Sequence, residues 1–171
     1  MTNPTRKPTR LKNHDYSAPG AYFITVCTHA RRCILSDTAP SPVDSVGAGV
    51  LDGPRVVLSD IGRIVEETIL SIDQQYPNIS MDKYVIMPNH LHLLIQLHAP
   101  GSSGTPTPTN ETIPALISTL KRLTNRKTGE KLWQRSYYDH VIRNETDYRE
   151  IWQYIGANPA RWAEDRFHPQ A

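Results

Sequence analysis

Residues 84–96 constrain the fold of this chain more than any other stretch. Two runs of β-branched, aromatic and aliphatic residues, 84–87 and 91–96, flank Pro88 and Asn89, a turn signal, so the unit reads as a hairpin of two strands. Side chains alternate along a strand, which places His90 and His92 on one face and Leu91, Leu93 and Ile95 on the other. The apolar set demands a core beneath it. Two imidazoles projecting together can donate two nitrogens to one divalent cation, although such a pair is ordinarily just two half-exposed polar positions. A third ligand and a nucleophile elsewhere in the chain decide between these readings.

The remaining segments supply what such a hairpin packs against. Residues 21–28 predict a second strand, opened by Pro19 and Gly20, with Tyr22, Ile24 and Val26 on one face and Phe23, Thr25 and Cys27 on the other. Apolar residues on both faces make it a candidate central strand. Ser59 predicts the N-cap of a helix to about Gln75, with Ile61, Ile64, Val65, Thr68, Ile69 and Ile72 as its apolar stripe. A second helix is expected over 111–127, buried through Ile113, Leu116, Ile117, Leu120 and Leu123. The aromatic and basic segment 133–143 ends in a short strand-like piece, and Trp133 suits the core. Asn144 then caps a last helix with Tyr148, Ile151, Trp152 and Ile155 as its buried stripe, which Pro159 stops just after Asn158. Residues 1–19 form a basic arm, and 36–54 and 98–110, rich in Ser, Pro and Gly, read as flexible loops, the first with room for a small hairpin.

At 171 residues the chain has the length of a single domain with a proper core. No apolar run is long enough to span a bilayer and the N-terminal residues lack the apolar core of a signal peptide, so the expectation is a cytoplasmic protein without membrane partners. Cys27 and Cys33 form no CxxC pair, which speaks against a zinc knuckle and for free thiols. A net charge of +2 does not by itself indicate nucleic acid. Its distribution is more informative: Arg10 and Lys12 lie in the arm, and Lys121, Arg122, Arg126 and Arg135 cluster before the C-terminal segment. With Tyr137 and Arg143 these are candidate contacts to phosphates and unpaired bases, the structural alternative being a solvated face.

At about 100° per residue, Tyr154 and Asn158 lie roughly 40° apart on the last helix, at the edge of its apolar stripe. Both can look toward the histidine face. His90, His92 and the amide oxygen of Asn158 make an incomplete coordination sphere, suited to Mg²⁺ or Mn²⁺ with positions left open for phosphate oxygens. Tyr148 belongs to the buried stripe, and Tyr137 and Tyr138 lack an Asn four residues on, so Tyr154 is the preferred nucleophile.

The chain resembles the single-tyrosine transposases of the HUH superfamily, and within it the REP-associated tyrosine transposases and their insertion-sequence relatives. The resemblance rests on three motifs, residues 87–92, 133–144 and 154–159, together with the strand at 22–25. It implies an α+β fold of the ferredoxin-like or RNA-recognition-motif type, an antiparallel sheet with helices packed on one face. It also implies cleavage of single-stranded DNA beside hairpins, through a 5′-phosphotyrosine and a free 3′-OH, and strand transfer by reversal. In those terms Tyr154 is the nucleophile, His90, His92 and Asn158 hold the metal, and the protein acts as a monomer or homodimer. The alternatives are a non-cutting hairpin DNA- or RNA-binding protein, and a metal phosphodiesterase that uses water.

Overall fold

The computed structural model describes residues 14–39, 55–99 and 112–169. Arg10 and Lys12, with most of the arm and of the two predicted loops, lie outside the described residues. In chain order the elements are β1 (Gly20–Cys27), β2 (Ser36–Ala39), β3 (Arg55–Leu58), α1 (Asp60–Gln75), β4 (Ile79–Ile86), β5 (His90–Leu97), α2 (Ile113–Thr128), β6 (Tyr138–Ile142) and α3 (Glu145–Ala157). A 3₁₀ segment, Pro159–Glu164, follows α3.

The main sheet has the strand order β4-β5-β1-β6, and every neighbouring pair is antiparallel. With α1 joining β1 to β4 and α2 joining β5 to β6, this is the split βαβ arrangement of ferredoxin-like folds. β2 and β3 form a separate two-stranded antiparallel sheet, β2 at the start of the loop expected over 36–54 and β3 just beyond its end. Among the described residues no helix is long and apolar enough to cross a membrane.

The helix ends follow from their capping residues. The Ser59 hydroxyl accepts from the Gly62 N–H, Thr112 accepts from Ala115, and Asn144 accepts from Asp147, each satisfying a donor with no partner inside its helix. Gly129, at φ 74°, closes α2 in the left-handed conformation that glycine adopts at no steric cost.

The principal core lies between the sheet and the pair α1 and α2. Tyr22, Ile24 and Val26 of β1 and Leu91, Leu93 and Ile95 of β5 meet Val65, Ile69 and Ile72 of α1 and Leu116, Ile117 and Leu120 of α2. Trp133 is buried there as expected, its indole N–H donating to the Thr124 hydroxyl at 2.7 Å. The one-sided arrangement expected of the helices holds for α1 and α2. It does not extend to α3, which crosses the opposite face and buries Ile155 against Phe23 of β1 and Leu94 of β5.

The stripe expected on α3 also needs one correction. Trp152 is 40% exposed, with the Lys83 ammonium 4.5 Å from its ring centroid. The residues that meet the sheet are Tyr148, Ile151 and Ile155, and at about 100° per residue Trp152 falls roughly 65° to one side of their mean direction. Tyr154 falls about 90° to the other side, toward the histidines.

Candidate active site

The site is assembled from β5, the C-terminal end of α3 and the segment that follows it. The register of β1 against β5 sets Thr25 opposite His92 and Cys27 opposite His90, so all four side chains share the face away from the principal core. Both histidines are buried. Their Nε2 atoms approach to 3.1 Å, and the Tyr154 hydroxyl lies 3.4 Å from the Nε2 of His92.

The groups behind the imidazoles fix how they face each other. The Asn89 amide donates to the carbonyls of Phe167 at 2.7 Å and Arg31 at 3.4 Å, which leaves its oxygen to meet Nδ1 of His90 at 2.9 Å. An amide oxygen only accepts, so the His90 proton sits on Nδ1 and its Nε2 lone pair points into the site. Nδ1 of His92 lies 2.8 Å from the Thr25 hydroxyl, a rotor that serves either tautomer. It accepts when both Nε2 atoms ligate a cation, and it donates when His92 gives its Nε2 proton to His90. Burial pushes the His90 pKa down to about 4 and holds His92 well below the usual imidazole range. Both rings are therefore neutral at pH 7, the form that binds metals.

The donor set fits a divalent cation. One ligand atom from each of His90, His92 and Asp165, all three buried, lies within 4.8 Å of the others. Asp165 accepts from the Phe167 N–H at 2.7 Å and from the Asn158 amide at 3.0 Å. That orientation leaves the Asn158 amide oxygen buried with no hydrogen-bond partner. A buried acceptor without a donor costs about 1–3 kcal/mol, a cost that coordination to a cation removes. Asp165 was not among the residues expected. It follows the 3₁₀ segment, where neither a period of two nor one of 3.6 extends to it, so no periodic signal marked it.

Tyr154 is 41% exposed and opens onto a cavity of about 620 Å³ lined by residues including Asn158, Arg161, Asp165 and Arg166. Burial, and next the Asp165 carboxylate, push its phenol pKa up, so it is protonated at neutral pH. The other tyrosine of α3, Tyr148, is engaged elsewhere. Its hydroxyl donates to Asp82 at 2.9 Å, and burial together with that carboxylate raises its pKa to about 12. Tyr137 packs against the principal core and Tyr138 lies on β6. His140 binds Asp147 at 2.9 Å, and its strand register places it opposite Phe23, across β1 from the histidine-bearing strand.

The expected nucleic-acid contacts are scattered. Lys121 donates to the carbonyls of Gln134, Arg135 and Ser136, and burial lowers its pKa to about 8, so it fastens that loop rather than facing solvent. Arg122 and Arg126 are exposed on α2, behind the sheet; Arg135 and Arg143 are exposed in loops beside β6. Tyr137 lines a second cavity, of about 330 Å³, which also takes in Thr25, Arg31 and Arg166.

No protein-family model matches the chain. An uncharacterized protein of Haemophilus influenzae (strain ATCC 51907 / DSM 11121 / KW20 / Rd) is 31% identical over 180 residues, covering 95% of this chain and 93% of that protein. Among solved structures, a REP-associated tyrosine transposase bound to a REP hairpin superposes with a TM-score of 0.62 and 19% identity, over 92% of this chain and 76% of that one. A candidate transposase of Deinococcus radiodurans R1 gives 0.47 and 18% identity over 86% of this chain and 96% of that one, too low a likeness to carry an argument. The chain therefore belongs to one family with the Haemophilus influenzae protein, and it has the fold of the REP-associated tyrosine transposases.

Proposed function

We propose that this protein is a metal-dependent tyrosine transposase that cuts and rejoins single-stranded DNA beside hairpins. Tyr154 is the nucleophile, and His90, His92 and Asn158 hold Mg²⁺ or Mn²⁺, with the Asp165 carboxylate adding a negative charge to the same site. The observation that carries this reading is the convergence of a partly exposed phenol on a buried imidazole pair, with Tyr154 3.4 Å from His92. A binding module needs none of these groups. A cation held there would supply positive charge to the phosphate and lower the demand on a phenol whose pKa burial has raised.

In the reaction the Tyr154 oxygen bonds to phosphorus and the bond from phosphorus to the 3′ oxygen breaks. The phenol releases one proton to solvent in the open cavity, and the departing oxygen takes one up as the 3′-OH. The tyrosine is left esterified to the 5′ phosphate. Because one phosphoester has replaced another, a second 3′-OH can reverse the step and join strands without ATP. Asn89 and Thr25 keep the imidazoles in place throughout, while the Asn158 and Asp165 pair closes the far side of the site. The structural neighbour is bound to a REP hairpin, which supports a DNA hairpin with adjacent unpaired nucleotides as the partner here.

The test is incubation with labelled single-stranded hairpins taken from the DNA flanking the protein's own gene, with Mg²⁺ or Mn²⁺, beside Tyr154→Phe on a denaturing gel. A metal-dependent covalent adduct that the variant lacks is the expected result. Cleavage that persists in Tyr154→Phe would assign the attack to water, and binding with no adduct would reduce the protein to a non-cutting module.

A further inference from the structure

The cavity of about 330 Å³ lies on the Thr25 side of the histidine pair and is separate from the one onto which Tyr154 opens, yet Arg166 lines both. Two guanidiniums converge on it. Arg31 and Arg166 sit 4.9 and 4.6 Å from the centroid of the same ring, Phe167, and Arg31 donates to the Arg166 carbonyl at 3.3 Å. Among the described residues neither forms an ion pair, although six such pairs occur elsewhere. Two like charges that line one cavity with no direct ion pair repel, and an anion bound between them relieves that repulsion.

A second, independent observation comes from the backbone. Ala30 and Arg31 have φ of 54° and 53°, consecutive non-glycine residues in the left-handed region. Each costs about 1–2 kcal/mol, and such strain persists where the surrounding structure enforces it, often to aim a side chain at a ligand. Here the turn directs Arg31 to the cavity mouth. Gln134 and Ser136, on the loop that Lys121 fastens through three carbonyls, also line the cavity, as does Tyr138 at the start of β6. Tyr138 is 48% exposed, with the Arg166 guanidinium 5.6 Å from its ring centroid. An open aromatic face beside unpaired guanidiniums is the chemistry that takes an unpaired base together with its phosphate.

We propose that this cavity is a binding subsite for one unpaired nucleotide of single-stranded DNA, its phosphate on Arg31 and Arg166 and its base against Tyr138. Gln134 and Ser136 present polar atoms to the base edge. Arg166, shared between the two cavities, then marks where the strand passes from this nucleotide to the phosphate facing Tyr154. The subsite rests on the DNA-cutting reading for its ligand, and binding alone tests it.

The experiment measures fluorescence anisotropy of labelled oligo-dT and oligo-dA over a range of salt, in the Tyr154→Phe background so that no strand is cut. Arg31→Gln and Arg166→Gln are each expected to weaken binding about tenfold and to lower the log–log salt slope by about one. Tyr138→Ala is expected to weaken it about tenfold with the slope unchanged, since stacking releases no counter-ions. Arg63→Gln, on exposed α1, is the control and leaves both quantities as they are. Circular dichroism verifies that each variant is folded. Affinities within twofold of the parent for all three cavity variants would overturn the subsite even if wild-type protein forms the tyrosine adduct. Losses as expected, in a protein that forms no adduct, would uphold the subsite and remove only the cutting chemistry.

Discussion

Thr25 makes the contact that leaves Nε2 of His92 free to face His90, and it is the residue whose removal best separates positioning from folding. Thr25→Val keeps the shape of the side chain but strands a buried imidazole nitrogen, so we expect about 1–2 kcal/mol of lost stability by urea unfolding. Mn²⁺ affinity, read by electron paramagnetic resonance, is expected to fall about tenfold or more, because the partner behind a ligating imidazole sets its tautomer and basicity. Thr25→Ser restores both. Asp165→Asn addresses the carboxylate. Its one amide oxygen can satisfy the Phe167 N–H or the Asn158 amide but not both, which costs about 1 kcal/mol, while the lost charge weakens Mn²⁺ binding about tenfold. Unchanged Mn²⁺ affinity would make Asp165 a purely local brace. At this scale the sequence was partly legible. His90 and His92 follow from strand alternation, and Tyr154 and Asn158 from helical spacing. Asp165, Arg31 and Arg166 reach the site through irregular backbone, which leaves no periodic mark.

α3 carries Tyr154 on a slender support. Ile155 is its only fully buried residue, meeting Phe23 and Leu94, with Tyr148 and Ile151 partly covered. Ile155→Ala is expected to cost about 2–4 kcal/mol, and to raise amide exchange in α3 well before that of β1 and β5, which are sealed on their other face by the principal core. Equal acceleration in α3 and the sheet would show instead that the helix opens only with the whole fold. The element boundaries were largely legible because Ser59 and Asn144 are caps whose side chains do locally what their chemistry dictates. Trp152 was misplaced for a different reason. Hydrophobicity alone does not say which flank of a stripe faces the sheet, and a large aromatic ring can be covered by the Lys83 side chain instead of by the core.

The whole sheet is used on both faces, the principal core below and the histidines with α3 above. Strand order was not readable from pattern alone, since alternation identifies strands without naming their neighbours; the likeness in motif order implied the ferredoxin-like type and no more. A cation that binds only the folded chain must stabilise all of it. Mn²⁺ at about a hundred times its dissociation constant is expected to add about 2.7 kcal/mol, a rise of several degrees in melting temperature, and His90→Ala with His92→Ala should abolish that rise. A melting temperature indifferent to Mn²⁺ would remove the metal from the site. The site also has an order of arrival. Tyr154 stands 62 positions after His92, and Asn158, Asp165 and Arg166 come later still. During synthesis Thr25, Asn89 and the histidine pair leave the ribosome before Tyr154, Asn158, Asp165 and Arg166, so the imidazole half of the site is made first and the half that faces it arrives last.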